Sequence, residues 1–496
     1  MKFRLFVTTF LGLGILLFMS SCSKDQSKKT GWAYNDIESG GFEYIAGYNQ
    51  ATGPGLVLIE GGTFAMGRVT DDVRYDWNNV PRRVTVGSYY LDETEVTNTD
   101  YREYLYWVKR VFADYPQVYR EALPDTLVWR SEMAYNEPMV DYYFRHPAYA
   151  DYPVVGVSWL QASKYCEWRT DRVNEMILIN QGILMTDPNQ GGANNFNTDA
   201  YLAGQYEGLV RQNLPDLDPN SDTRHARMED GLFLPKYRLP TEAEWEFAAL
   251  GLTAEEELID TKRMYPWRGN YARNDERRNR GAIMANFSRG RGDYMGVSGS
   301  LNDGAGISSP VRSYWPNDYG LYDMAGNVAE WVMDVYRPMN LQDVDEFRPF
   351  RGNVYTIKER DEDGIFAEKD SLGKIPTRQM TREESINRRN YKRTDLRNYM
   401  DGDQSSRIDY ASADASVDGS EQGEGTSKMY FGGKGTNLEG ISSLITDKSR
   451  VYKGGSWRDR AYWLVPGARR YLDERESTDD IGFRCAMTRL GNPSGR

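Results

Sequence analysis

The feature that most constrains this chain is an apolar run near its N-terminus. Lys2 and Arg4 precede the run, which extends for 14 residues from Leu5 to Phe18. A run of this length is too short to cross a bilayer as a helix and has the length of a signal-peptide core. Nothing else in the sequence approaches 18 consecutive apolar residues. The remainder is therefore expected to fold as an exported globular protein.

The residues after this run resemble a bacterial lipobox, since small side chains lead into Cys22. Residues 1–21 are then a lipoprotein signal peptide, and Cys22 is the lipidated first residue of the mature chain. A secreted protein with an incidental cysteine near its cleavage site is the alternative. A lipid anchors a protein to a membrane without crossing it. We expect residues 22–52 to form an N-terminal tether, whose polar, lysine-rich part at 23–30 is flexible.

Charge and histidine content exclude two classes of function. The net charge is −12 and the isoelectric point is about 5.0, which argues against a nucleic-acid partner. The chain has only 2 histidines, His146 and His225. Metal sites that need three histidine ligands cannot be built from them.

Periodicity predicts mixed secondary structure. Residues 55–67 are expected to be β-rich but broken by glycines, and a strand is expected over 84–91. Helices are expected over residues 97–112 and 160–179. A third helix is expected to begin after Pro240, because Thr241 and Glu244 have the spacing of a capping box.

Two stretches have the composition of insertions. Residues 181–231 are rich in Asn, Asp and Gly, and residues 337–450 contain a charge-dense part. Within residues 356–410 there are 12 Lys and Arg and 12 Asp and Glu residues. Such a composition can bury little apolar surface. The stretch is therefore interpreted either as a solvated, partly disordered segment or as a partner-binding surface.

Eight motifs together resemble the formylglycine-generating-enzyme, or sulfatase-modifying-factor, family. They are Phe64–Gly67, Glu93–Asn98, Pro153–Trp159, Tyr237–Trp245, Tyr265–Trp267, Gly320–Trp331, Lys453–Trp457 and Gly482–Cys485. The resemblance implies an α+β, C-type-lectin-like fold of the formylglycine-generating type with little regular secondary structure. We expect this domain to cover residues 53–490, interrupted by the two long insertions and followed by a tail at 491–496.

The resemblance also implies a calcium site on the turn between Asp323 and Glu330. Two carboxylates flank a glycine-containing turn there, and Ca²⁺ takes carboxylate and backbone carbonyl oxygens together. The matching family ligands are the side chains of Asp323 and Glu330 with the carbonyls of Gly326 and Val328. Polar turn residues without a metal are the alternative.

A second calcium site is implied by the same family. It matches the side chains of Asn286 and Asp303 with the carbonyls of Phe287 and Ala305. Here too, turn residues without a metal are the alternative.

The redox chemistry of the family is not supported. Family oxidases bind copper through two cysteines shortly after the Gly-Gly-Ser-aromatic strand, but residues 454–464 contain none. Cys166 and Cys485 could pair in an oxidising compartment, and the resemblance implies that they are the structural disulfide of the family. Iron-dependent relatives need three histidines. We therefore expect neither copper nor iron, and a pseudoenzyme.

A closer set of segments resembles the gliding-motility lipoproteins of the Bacteroidetes. These segments are Thr30–Trp32, Gly40–Glu43, Trp107–Phe112, Trp168–Glu175 and Trp457–Trp463. The resemblance implies a periplasm-facing outer-membrane component of the gliding and type IX secretion machinery. Its partners are then other envelope proteins of that machinery, including the paralogous lipoprotein. A glycan- or ligand-binding surface lipoprotein and a divergent oxidase are the alternatives.

Overall fold

The computed structural model describes residues 25–68, 79, 81–218, 220–251, 263–289, 305–336, 356–361, 363–379 and 448–491. Its contacts divide the chain into two compact units. The first unit contains residues 1–49, 178–186 and 209–233, and the second contains residues 50–177, 187–208 and 234–496. In the described part of the chain, no helix has the length and apolar character needed to cross a membrane.

Short strands are the main regular elements. They are β1 (Leu56–Ile59), β2 (Gly62–Met66), β3 (Arg82–Val86), β4 (Tyr89–Asp92), β5 (Leu214–Pro215), β6 (Thr223–Arg224), β7 (Tyr237–Arg238), β8 (Ala329–Val335), β9 (Thr356–Lys358), β10 (Thr377–Gln379), β11 (Ser449–Lys453), β12 (Arg470–Asp473), β13 (Ile481–Gly482) and β14 (Ala486–Thr488).

Six α-helices accompany the strands in the described residues. They are α1 (Asn98–Val111), α2 (Pro116–Ala122), α3 (Glu137–Tyr142), α4 (Trp159–Asn180), α5 (Thr198–Leu202) and α6 (Glu242–Leu250).

Two four-stranded sheets organise the second unit. The first has the order β1-β4-β14-β7 and is antiparallel throughout. The second has the order β12-β11-β8-β13, with β13 parallel to β8. The chain passes from β13 in the second sheet to β14 in the first through residues 483–485. This crossing places Arg484 and Cys485 at the centre of the unit, where both are fully buried.

The predicted helices are confirmed, together with the caps that start two of them. The Thr241 side chain accepts a hydrogen bond from Glu244 N, and the Glu244 carboxylate accepts one from Thr241 N. Thr97 and Asp100 form the same reciprocal pair at the start of α1. Each pair satisfies two backbone N–H groups that a helix start otherwise leaves without partners.

The strand predicted over residues 84–91 is wrong as a single element. The structure has β3 and β4 instead, and β3 pairs with β2 whereas β4 lies in the first sheet. The chain turns at Gly87 and Ser88, where Ser88 Oγ accepts a hydrogen bond from Gly61 N. A Cβ at Gly61 would lie 2.2 Å from Val86 O, so the close approach of the two segments requires glycine.

Aromatic side chains of α1 and α4 fill the main core of the second unit. Tyr101 of α1 stacks on Tyr165 of α4, with ring centroids 5.7 Å apart. Phe483 packs edge-on against Tyr165 at 5.3 Å. The Tyr101 hydroxyl donates to Ala122 O, so its polar end is satisfied although the side chain is fully buried. These contacts hold the crossing segment against the helices.

Residues 25–49 differ from the predicted tether. Gln26 bridges Ala33, and Asn35 N donates to Phe42 O, so this segment folds back on itself. It belongs to the first unit together with residues 178–186 and 209–233. The physical reason is its aromatic content, which a polar tether lacks. The segment before residue 25, with Cys22, lies outside the described residues.

The described part of the second insertion packs on the chain itself. Strands β9 and β10 form an antiparallel pair, and Lys358 on β9 contacts Asp199 at 2.7 Å. Lys374 lies 2.7 Å from Glu167 of α4. Lys369 N donates to the side chain of Gln205. Two lysines of residues 356–379 therefore pair with acidic residues elsewhere in the second unit, and the Lys374–Glu167 pair remains about half exposed. Residues 337–355, 362 and 380–447 of the insertion lie outside the described residues.

Candidate functional site

The loop after β11, which the resemblance matches to the copper-binding cysteines of family oxidases, carries a hydrogen-bonded serine. Ser456 is fully buried, and its Oγ lies 2.8 Å from both Asp459 Oδ2 and Asp480 Oδ2. Because a hydroxyl has one proton, it donates to one of these carboxylates at a time. Ser456 N also donates to Asp459. We call Ser456, Asp459, Asp480 and the charged residues below the Ser456 cluster.

Two arginines and a third aspartate complete the Ser456 cluster. Arg458 contacts Asp479 at 2.6 Å and Asp480 at 3.0 Å, and Arg470 pairs with Asp459. Burial raises the pKa of Asp479, which Arg458 opposes. The cluster contains no thiol and no histidine. It can hold the loop in place, but it offers oxygen and guanidinium groups where copper chemistry needs soft ligands.

The two remaining cysteines meet in the core. Cys166 Sγ of α4 and Cys485 Sγ lie 3.3 Å apart as two thiols, and both residues are buried. Burial raises the pKa of Cys166 well above its usual value, and the hydrogen bond with Cys485 raises it further. A buried thiol of this kind is inert as a nucleophile. The predicted disulfide stays a prediction, and the contact is the geometry from which it could form.

A buried carboxylate cluster occupies the first predicted calcium turn. Glu95, Asp323 and Glu330 are each at most 7% exposed, and Arg484 lies with them. Arg484 Nη2 is 2.6 Å from Glu330 Oε1, and Arg484 Nε is 2.7 Å from Glu330 Oε2. Three carboxylates and one guanidinium give a formal charge of −2 when all are ionised. Buried charge without compensation is costly, so the cluster favours a proton or a cation.

The raised pKa values of Glu95 and Asp323 reflect this excess negative charge. Burial raises the pKa of Glu95 well above its usual range, and Asp323 and Glu330 raise it further, whereas Arg484 lowers it. Burial likewise raises the pKa of Asp323 to about 7, which Arg312 N opposes by donating to the carboxylate. Both acids therefore bind protons more readily than in water.

The two acids of the predicted calcium turn differ in how far their carboxylates are already occupied. Asp323 lines a recess of about 20 Å³, large enough for one water or ion, and among the described residues its carboxylate accepts a hydrogen bond from Arg312 N alone. Glu330 has both oxygens occupied by Arg484, and Trp245 Nε1 also donates to it at 2.8 Å. In the described residues, no three His, Cys, Asp or Glu side chains are grouped so that they could hold a metal ion.

The second predicted calcium turn lies directly against the first. A Cβ at Gly326 would be 2.3 Å from Asn286 O, and Gly326 has φ +80°, so this contact requires glycine. Asn286 Nδ2 donates to Ile307 O at 2.8 Å. Phe287 and Ala305 are also described, whereas Asp303 lies outside the described residues.

Asn327 joins the two turns and was not singled out by the sequence. It has φ 60°, its Nδ2 donates to Glu95, and its Oδ1 accepts from Ser309 N. Glu95 and Arg484 were also missed as site residues, although both lie inside matched motifs. The position of Asn327 in a short glycine-containing turn was the available signal for its role. Its partner Glu95, and the Arg484 partner of Glu330, lie more than 150 residues away and cannot be paired from sequence alone.

The model of the sulfatase-modifying factor enzyme 1-like domain matches residues 42–385, which is more than half of the chain. The chain belongs to the sulfatase-modifying factor family. Its mixed helices and short strands confirm the expected α+β fold class with little regular secondary structure.

Members of this sulfatase-modifying factor family include both active and inactive proteins. The mouse formylglycine-generating enzyme is 26% identical over 296 residues, which cover 56% of this chain and 58% of the mouse protein. The mouse inactive C-alpha-formylglycine-generating enzyme 2 is 26% identical over 312 residues, covering 58% of this chain and 71% of that protein. Among solved structures, PvdO from Pseudomonas aeruginosa is 15% identical with a TM-score of 0.40, covering 88% of this chain and 100% of PvdO.

A second buried charge cluster supports the family core. Lys453 Nζ lies 2.9 Å from Glu246 and 3.3 Å from Glu242 of α6, and Arg469 contacts Glu242 at 2.8 Å. All four side chains are at most 3% exposed. Asp334 accepts a hydrogen bond from Glu242 N at 2.6 Å. Opposite charges that are buried together in this way fix α6 against β8 and β11, and removing one partner is costly.

Proposed function

We propose that this chain is a non-catalytic, lipid-anchored outer-membrane protein that serves as a structural component of the gliding-motility and type IX secretion machinery. The lipid anchor is at Cys22, and the folded domain faces the periplasm. Its partners are other envelope proteins of the same machinery, including its paralogous lipoprotein. The resemblance is closest to gliding-motility lipoprotein J, with lipoprotein K as the second possibility.

The observation that carries the non-catalytic part is the composition of the loop after β11. Residues 454–464 contain no cysteine, and the chain has 3 cysteines in total. Two of these, Cys166 and Cys485, are buried in the core as a pair. The Ser456 cluster offers only oxygen and guanidinium groups at the position of the copper ligands. A relative whose name describes it as inactive supports the view that this fold persists without the oxidase chemistry.

Calcium, if bound, serves the structure in this proposal. Asp323 with the carbonyls of Gly326 and Val328 would hold one ion, and it would compensate the −2 formal charge of the buried carboxylate cluster. Asn286, Phe287, Asp303 and Ala305 would hold the second. A cation there would stiffen two adjacent turns without entering any reaction.

Two measurements test the proposal. Affinity isolation of the tagged, lipidated protein from native membranes should recover secretion-machinery proteins in stoichiometric amounts. The isolated protein, supplied with Cu(I) and a cysteine-containing peptide, should bind no copper tightly and convert no peptide. Recovery of the protein alone would contradict the assembly role, and peptide oxidation would contradict the non-catalytic role.

A further inference from the structure

Large apolar side chains are concentrated on the surface of the first unit. Six residues of the segment 25–49 are each 41–62% exposed: Trp32, Ile37, Phe42, Tyr44, Ile45 and Tyr48. Single exposed apolar residues are ordinary, but a group of this density marks an interaction surface. We call residues 32–48 the aromatic loop.

The aromatic loop has a defined shape. Tyr34 packs against Phe42 with ring centroids 5.5 Å apart and against Tyr44 at 4.8 Å. Asn35 fixes the backbone, because its Nδ2 donates to Tyr44 O and its Oδ1 accepts from Tyr44 N. Gly41 has φ +73°, and a Cβ there would lie 2.0 Å from Leu217 O. The rings are therefore presented by a fixed turn that is seated on another segment of the same unit.

An apolar recess continues this surface. A cavity of about 350 Å³ is lined by Tyr44 and Ile45 of the loop together with Leu214, Leu217 and Leu232. Arg224 also lines it, but this guanidinium is paired with Glu43 and Asp230. The recess thus adds apolar surface beside the exposed rings, although charged side chains also form part of its lining.

The position of the loop in the chain indicates what covers it. Asp25, the first described residue, lies three positions after Cys22, and three steps along the chain span at most about 11 Å. A lipid on Cys22 would therefore keep the aromatic loop close to the bilayer surface. Trp and Tyr side chains prefer that interface, because their rings are apolar and their N–H and O–H groups remain hydrated.

We propose that the aromatic loop is a membrane seat that lies against the headgroup region of the phospholipid bilayer. This inference rests on the proposed lipid anchor at Cys22. Lys28 and Lys29 are offset by Asp25, Asp36 and Glu38 in the same segment. Attraction to anionic lipid is therefore a minor contribution, and zwitterionic phospholipid suffices.

The test places a fluorophore on the loop of the lipidated full-length protein. A Phe42→Cys variant accepts an environment-sensitive label, whereas Cys166 and Cys485 are buried. The matched control is Tyr135→Cys, at a tyrosine that is 84% exposed outside the loop. In phosphatidylcholine vesicles, nitroxide lipids should quench the label at 42 and leave the label at 135 unchanged. Equal quenching at both positions would overturn the proposal. Shielding of position 42 only by added envelope proteins would instead identify a protein-docking surface.

A second experiment separates membrane binding by the aromatic loop from membrane binding by the lipid on Cys22. The mature chain from residue 23, made without export and therefore without lipid, is floated with phosphatidylcholine vesicles. Losing the burial of one ring should weaken vesicle binding by about tenfold, so Trp32→Ser with Phe42→Ser should lower it by about a hundredfold. Met133→Ser, at a fully exposed methionine, is the control and should change nothing. Equal flotation of the parent and the loop variant would overturn the membrane seat. The proposed assembly role is tested separately, by the isolation of partner proteins from native membranes.

Discussion

Glu330 and Arg484 form a doubly hydrogen-bonded ion pair in which neither side chain is more than 1% exposed. Glu330 is on β8 of the second sheet, and Arg484 is in the segment that crosses to the first sheet. Arg484 also donates to Asp92 O at the end of β4 and to Tyr322 O. This one guanidinium therefore joins both sheets to the predicted calcium turn.

Removing Arg484 should destabilise the fold strongly. Arg484→Met leaves Glu95, Asp323 and Glu330 buried without a cation, and breaking a buried pair costs about 3–5 kcal/mol. Urea unfolding measures this loss. The double variant Arg484→Met with Glu330→Gln removes one of the carboxylates and should recover part of the stability. An unchanged urea midpoint for the single variant would show that the pair does not stabilise the core.

Calcium should stabilise the protein through Asp323. Because a cation that binds only the folded state raises its stability by mass action, saturating Ca²⁺ should raise the melting temperature. Asp323→Asn together with Asp303→Asn should reduce that rise. The matched control is Glu93→Gln, a nearby carboxylate that pairs with Arg312 on the surface. The same Ca²⁺ response in the double variant and the control would place calcium elsewhere.

The exported protein should contain a disulfide between Cys166 and Cys485. Their sulfur atoms are in contact across 319 residues of sequence. Thiol labelling after unfolding without reductant should find both cysteines blocked. In the loop-entropy model, so long a loop contributes about 6 kcal/mol. Two labelled thiols in protein taken directly from the envelope would refute the pairing.

The free energy of unfolding should fall as the pH rises toward 8, and the ionisation of Asp334 is one cause. Burial raises the pKa of Asp334 from 3.8 to about 7, and Glu242 and Glu244 of α6 raise it further, whereas Arg469 lowers it. The folded protein thus retains a proton that the unfolded chain releases. The stabilisation is complete below about pH 4 and is lost as the pH passes through 7.

The Asp334→Asn variant isolates this contribution. An asparagine remains uncharged and can still accept the hydrogen bond from Glu242 N. Its free energy of unfolding should therefore decline less between pH 5 and pH 8 than that of the parent, by an amount on the order of a few kcal/mol. Parallel pH curves for the two proteins would show that Asp334 is ionised in the folded state.

Local sequence signals predicted the helices, whereas long-range pairing was missed. Thr241 and Glu244 mark a helix start because both capping partners lie within four residues. The break between β3 and β4 depends on Gly61, which is distant in sequence from the turn that it contacts. For the same reason, Glu95 and Arg484 could not be assigned to the Asp323 turn. Composition could not show where residues 356–379 pack either, because the acidic partners of Lys358 and Lys374 lie far upstream.

The central claim is that the chain acts by assembly and not by chemistry, and secretion in living cells tests it most directly. A strain that lacks the gene is complemented with the wild-type protein or with Ser456→Ala plus Asp459→Asn, and type IX cargo in the medium is measured at matched protein abundance. We predict that deletion stops secretion and that both proteins restore it. Normal secretion without the gene would contradict the assembly role, and failure of a folded, equally abundant variant would contradict the absence of chemistry at Ser456.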